Sequence, residues 1–252
     1  MLPLLDEYAP RRLPILTIAL IVICCAIFGY QQSLSTNRQV GSVQAFECSY
    51  GIVPAVTVHG APAPTDAGAP ALTCQGLNAQ HPRFLSLLTS IFLHAGWWHL
   101  IGNMFFLWVF GANLEDRLGR LRFLPFVLVG GMGAGGIQAL SQPSSTDVVI
   151  GASGAIAVIL GAYLVLFPRN GIWTLVFFFI PMKVPAWLWG CIFIGLQLLD
   201  ITQPQSAGSM GIATVAHLSG LIIGALTIRA VAWRRPEVPH VARHLHVPWM
   251  SS

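Results

Sequence analysis

The chain has 252 residues, of which 55% are hydrophobic and only 9% charged, and its net charge is +4. A soluble domain carries about 25% charged residues, so the composition excludes a globular soluble enzyme and reads as a polytopic membrane protein. The basic residues are scattered along the flanks of apolar runs, which ties them to the membrane surface and gives no reason to expect nucleic acid as a partner.

Arg11 and Arg12 precede the first apolar run, Pro14–Tyr30. No small-residue cleavage site follows it promptly, so the run is read as a retained anchor and not a signal peptide. A long polar loop, residues 31–84, carries Cys48 and Cys74; its middle, Gly60 to Pro70, is rich in Pro, Ala and Gly and is expected to be flexible. Five more runs approach the roughly 20 residues a span needs: Trp97–Ala112, Phe123–Leu140, Gly151–Phe167, Pro185–Leu199 and Ile212–Trp233. The second span either begins within Leu85–Leu93 or is preceded there by a shorter interfacial helix. The run Gly171–Ile180, flanked by Arg169 and Lys183, is about half the required length and is read as interfacial or re-entrant. The tail from Arg234 is short, basic and rich in His and Pro.

Six spans divide the chain into a short N-terminal segment (1–12), a membrane domain (13–233) and a C-terminal tail (234–252). They place eleven basic residues on one side and two, Arg38 and Arg83, on the other. The first side is therefore cytoplasmic and holds both termini, and loop 31–84 is extracytoplasmic. If so, Cys48 and Cys74 are able to pair there. Cys24, Cys25 and Cys191 lie in apolar runs and are read as packing residues.

Polar residues from three spans converge at one depth. The second, fourth and sixth spans run inward. Ser153 lies about three residues into the fourth and His217 about five into the sixth, roughly 5–8 Å below the outer surface. Near the outer end of the second, His99 and Asn103 are spaced i, i+4 on one helix face. A hydroxyl in hydrocarbon often only bonds back to its own helix, but Ser and His are the minimum pair for an activated nucleophile. His217 serves as base to Ser153, and His99, Asn103 and the backbone N–H of Ser153 are candidate oxyanion donors. Asn103 also fits an interhelical hydrogen-bond bridge. His94 is read as structural, bonding a loop carbonyl. Asp147 and Asp200 are loop residues, so no acidic third member is evident and a dyad is expected. Gly154 and Gly161 lie on one face of the fourth span, and Gly220 and Gly224 form a GxxxG on the sixth. Such faces allow the close approach that a Ser–His hydrogen bond needs. Glu115, at the cytoplasmic end of the second span, is read as a structural hydrogen-bond anchor.

These residues, in order and on the expected spans, closely resemble the rhomboid family of intramembrane serine proteases, of the bacterial type. The matching elements are His94 with His99-x-x-x-Asn103, Gly111-x-x-x-Glu115-x-x-x-Gly119, Gly151-x-Ser153-Gly154 and Ala216-His217-x-x-Gly220-x-x-x-Gly224, within about Arg83 to Ala230. The resemblance implies an all-α, six-helix bundle with a water-accessible cavity opening outward. Ser153 would be the nucleophile and His217 the general base and acid, with His99, Asn103 and the Ser153 backbone as oxyanion hole. It implies single-span membrane proteins as substrates, cut near the outer boundary of the bilayer, and Thr202–Gly211, with Met210, as a cap over the site. The setting would be a bacterial inner membrane, and no cofactor is implied. An inactive relative that binds client transmembrane segments is the alternative. A metal enzyme is disfavoured, since there is no HExxH and no acid at the shared depth; a transporter would carry broken helices and a charged midplane site.

The sequence departs from the family at Ala157, where an aromatic four residues after the serine usually supports the histidine. Either an aromatic from elsewhere fills that space or His217 is held less firmly than in most relatives. The second is the expectation, since no aromatic stands on the outer half of the sixth span. Ala157→Phe is then expected to keep or raise kcat, provided the bundle admits the added volume.

Overall fold

A computed structural model of the chain describes residues 2–7, 10–36, 42–60, 74, 83–176, 180–201 and 214–232. The Pro/Ala-rich stretch, the cap segment Thr202–Gly211 and the tail expected from sequence lie outside these residues. Ten helices and three strands follow in the order β1 (Leu2–Asp6), α1 (Ile15–Thr36), α2 (Ser42–Tyr50), α3 (Pro54–His59), α4 (Arg83–Thr89), α5 (Trp97–Phe106), α6 (Ala112–Leu118), α7 (Arg120–Ser141), α8 (Ser153–Leu166), β2 (Gly171–Val176), β3 (Ile180–Pro185), α9 (Ala186–Ile201) and α10 (Thr214–Ala232).

Three helices, Ile15–Ser35, Arg120–Ser141 and Thr214–Ala232, are long and apolar enough to cross a membrane. A fourth crossing is made if Phe84–Phe92 and Trp97–Leu118, which meet at 91°, count as one broken span. Within that span α5 continues into α6 through a single wide turn, Leu107–Gly111. The two remaining apolar helices, Ser153–Leu166 and Ala186–Leu199, are shorter.

Helix α8 is the core. Every residue from Ala155 to Tyr163 is buried, as expected of a helix that is hydrophobic on all sides. Its neighbours reach it through glycines. A Cβ on Gly130 or Gly131 of α7 would lie 2.7 Å from Val158 or Ala155. The approach of α10 is closer still: a Cβ on Gly224 would stand 2.0 Å from the Val158 carbonyl oxygen, and one on Gly161 the same distance from that of Leu221. The two helices therefore touch backbone to backbone, the contact that small residues permit when hydrocarbon offers no hydrophobic drive to association.

The short run Gly171–Ile180 does not cross as a helix. Gly171–Val176 forms β2 and Ile180 opens β3, in an antiparallel sheet of order β1-β2-β3. Ile172, Trp173, Thr174 and Val176 are β-branched or aromatic and suit a strand, and the N-terminus supplies the edge partner, with Asp6 opposite Ile172. Asp6 is buried and accepts hydrogen bonds from Tyr163 of α8 and, at 2.7 Å, from Asn113. Glu115 accepts from Leu16 N (3.1 Å), Thr17 N (2.8 Å) and Thr17 Oγ1 (2.8 Å), joining α6 to the start of α1.

The polar loop after α1 is partly structured. Cys48 of α2 is disulfide-bonded to Cys74, with a Cα–Cα separation of 5.3 Å. Ile52 pairs with Val149, and Ala55 N donates to Ser145 O, so this unit grips the segment that leads into α8.

Candidate active site

The site is built where α8 begins. The chain enters it through Gly151, whose φ of +130° disfavours any side chain and whose N–H donates to Ser90 O at 2.9 Å. A Cβ there would stand 2.7 Å from His99 Cε1, 2.8 Å from His99 Nε2 and 3.7 Å from Ser153 Oγ. Gly151 thus lets the imidazole of His99 approach the serine, which is the first residue of α8. The opening N–H groups of a helix have no partner within it and carry its positive dipole end.

His99 sits in the first turn of α5, and Asn103 follows one turn later. Asn103 is buried, and its Nδ2 has no hydrogen-bond partner among the described residues. His94 lies in the break before α5 and packs edge-on against His99, with ring centroids 5.3 Å apart. The backbone of Phe92, just before the break, acts on the His94 ring, although neither ring nitrogen has a partner within strict hydrogen-bond geometry among the described residues. Its backbone is the anchored part, since His94 N donates to Gln31 Oε1 (3.1 Å) and Gln31 Nε2 donates to His94 O (3.2 Å). Gln31 also donates to Glu47 (3.0 Å), which partly offsets the upward shift that burial gives the Glu47 carboxyl.

Helix α10 brings His217 alongside. A Cβ on Gly154 would lie 3.8 Å from that of Ala216, and one on Gly220 would lie 2.5 Å from the Gly154 carbonyl oxygen. Ser153 and His217 are the chain neighbours of that Gly154–Ala216 contact, so their backbones lie on adjoining turns of the two helices. The register is fixed by Gln138 of α7, whose Oε1 accepts from Ala216 N at 3.0 Å. Helix α9 meets the ring of His217 itself: Gln197 Oε1 is 2.9 Å from Nδ1, and the Phe193 ring centroid is 6.0 Å away at 46°. The looser histidine expected from Ala157 is therefore not what the structure has; an aromatic and an amide on another helix take up the contact. Ala157 is buried and faces α10, 3.0 Å from where a Gly220 Cβ would be.

The sequence reading did not single out Gln138, Phe193 or Gln197. The depth argument used for Ser153 applies equally to Gln197, a lone amide near the outer end of the fifth apolar run. Among the described residues no three His, Cys, Asp or Glu side chains are grouped to hold a metal ion.

The rhomboid domain family model matches residues 81–234. Curated relatives include "RHOMBOID-like protein 12, mitochondrial" of Arabidopsis thaliana, 31% identical over 174 residues, covering 63% of this chain and 48% of the relative. "Rhomboid protein 1, mitochondrial" of Saccharomyces cerevisiae is 32% identical over 147 residues, covering 56% and 40%. "Putative rhomboid protease YdcA" of Bacillus subtilis is 37% identical over 93 residues, covering 37% and 46%. The chain spans less than half the length of each of these relatives. With mitochondrial proteins of a plant and a yeast among them, they support the domain family but not its bacterial type.

Proposed function

The chain belongs to the rhomboid family, and from that premise we propose that it is an intramembrane serine endopeptidase acting through Ser153 and His217. The observation that carries the reading is the convergence of α5, α8 and α10 on the start of α8. There the position a Gly151 Cβ would take is within 2.7 Å of His99 and 3.7 Å of Ser153 Oγ, and the Gly154–Ala216 contact between the neighbouring residues supports a pairing of Ser153 with His217. His217 takes the hydroxyl proton as Ser153 Oγ attacks the scissile carbonyl, and returns it to the leaving amine. The oxyanion then meets the Ser153 N–H at the positive end of α8, the His99 ring and the Asn103 amide, donors fixed before the charge develops. The buried, unpartnered Nδ2 of Asn103 supports that role, because such a group costs about 1–3 kcal/mol unless something else gives it a purpose.

The length of α8 supports an outward-facing site. Its 14 residues span about 21 Å, against a hydrocarbon core of about 30 Å. If its C-terminal end is at the cytoplasmic boundary, Ser153 lies roughly 9 Å below the other one. Water reaches that depth readily, and a single-span substrate has few helical turns to unwind there. The reading takes residues 13–233 as a six-span membrane domain with loop 31–84 outside, flanked by cytoplasmic segments 1–12 and 234–252. The eleven-to-two split of basic residues supports that orientation. A bacterial inner membrane, with both termini cytoplasmic, stays part of the proposal.

The test is cleavage of a model single-span protein together with covalent capture by a fluorophosphonate. Wild type should cleave and be modified on Ser153. Ser153→Ala and His217→Ala should do neither while melting at the wild-type temperature. Cleavage surviving in Ser153→Ala would overturn the serine mechanism. A folded wild type that binds the substrate without cutting it would favour the client-binding alternative.

A further inference from the structure

A neutral imidazole has one N–H and one lone pair, and the hydrogen bond at one nitrogen decides which is which. For His217 to take a proton from Ser153 through Nε2, the ring proton must sit on Nδ1. Gln197 Oε1, 2.9 Å from Nδ1, is an acceptor and nothing else. We propose that Gln197 is a positioning residue that completes the site, holding His217 with its proton on Nδ1 and its lone pair on Nε2.

This inference rests on the Ser153–His217 reading and adds a third member to it. Phe193 stands i, i+4 from Gln197 on the same face of α9 and lies against the ring of His217. The helix thus meets the imidazole with a tilted ring and holds one of its nitrogens at once. An amide in this place suits the surroundings. A carboxylate would stabilise the imidazolium as well as orient it, but an ionised group in a spanning segment is costly. A histidine oriented by a neutral amide is a recognised variant of the triad arrangement. The amide must present its oxygen, because its N–H₂ side would force the opposite tautomer, with the proton on Nε2 where no base remains.

Gluing α9 to α10 is the structural role Gln197 would have otherwise, worth about 0.6–2 kcal/mol for an interhelical hydrogen bond. The experiment separates the two. Full-length wild type, Gln197→Leu, Gln197→Met and Gln197→Glu are compared for fluorophosphonate modification of Ser153, for kcat and KM on a model single-span substrate, and for unfolding temperature in detergent. Ser153→Ala serves as the blank. Outer partners of metal-bound histidines typically carry about ten- to a hundredfold in function, and a similar loss is expected here. Gln197→Leu and Gln197→Met should lose it in kcat and in modification rate, with KM and unfolding temperature unchanged. Gln197→Glu, which keeps an acceptor at the same reach, should recover to within a few-fold of wild type. Histidine ¹⁵N spectra, with the His217 signal identified by His217→Ala, should show a protonated Nδ1 in wild type and a tautomer mixture in Gln197→Met.

Wild-type modification rates in both acceptor-free variants would overturn the inference and leave the protease reading standing. So would a loss that Gln197→Glu fails to recover, or one that only follows a drop in unfolding temperature. A folded wild type whose Ser153 is never modified would overturn the protease reading and this inference with it.

Discussion

At the scale of single residues, Asn103 is where two explanations of one side chain make opposite predictions. An interhelical bridge would have its donor satisfied, and its loss would weaken the fold. Here Nδ2 is buried without a partner among the described residues, so the folded protein gains nothing from it unless, as proposed, an oxyanion forms beside it. Asn103→Ala should therefore lower kcat by about 10²–10³, equivalent to roughly 2.7–4 kcal/mol of transition-state stabilisation, with a smaller change in KM. Its unfolding temperature should be equal to wild type or higher, since a buried unsatisfied donor is removed. Denaturation and steady-state kinetics on the same preparation check both halves, and a less stable variant with normal kcat would restore the bridge. The candidate polar residues of α5, α8 and α10 were legible in the sequence because each stands out in an apolar run. Gln31 falls just past the first apolar run, and Gln138 and Gln197 lie inside theirs; a neutral amide has no role that can be assigned until its partner is known. The partners are a backbone pair at His94, a backbone N–H at Ala216 and a ring nitrogen at His217.

At the scale of elements, the seam between α8 and α10 reverses the expectation attached to Ala157. The sequence shows that an aromatic is missing, but not which direction position 157 faces. It faces Gly220 across a seam in which Cβ atoms on Gly161 or Gly224 would sit 2.0 Å from carbonyl oxygens of the opposing helix. There is no room for a ring unless the helices part, and on the proposed reading parting them separates His217 from Ser153. The support that a ring would have given comes instead from Phe193. Ala157→Phe should accordingly cost about 1–3 kcal/mol of stability through overpacking and lose most cleavage, whereas Ala157→Gly should keep activity. Unfolding in detergent and turnover of the model substrate measure the two effects. A Phe variant as stable and active as wild type would mean that the seam yields more easily than its backbone contacts imply. The β2–β3 hairpin was illegible for a related reason. Its residues are apolar enough for a membrane segment, and one of the two strands that flank β2, β1, lies more than 160 positions away.

At the scale of the whole molecule, the charge bias and the disulfide bear on the same question by independent routes. On the proposed topology, the distribution of Arg and Lys supports an outer position for loop 31–84. Within that loop Cys48 is bonded to Cys74, and disulfides persist in oxidising compartments. A spacing of 26 residues between the cysteines corresponds to about 3–4 kcal/mol by the loop-entropy account. That stabilisation acts on the entry to the site, because the disulfide-bonded unit pairs Ile52 with Val149, two residues before Gly151. The bond and its sidedness can be read together. Non-reduced digests should contain a linked peptide holding Cys48 and Cys74. After mild reduction of sealed vesicles with the native orientation, a membrane-impermeant maleimide should modify both cysteines from outside. Cleavage should then fall at temperatures that leave the oxidised protein active, as the segment from Ser145 to Gly151 loses its clamp. Modification only after the vesicles are opened would invert the topology and place Ser153 at the opposite face, where substrates would have to be cut on the cytoplasmic side.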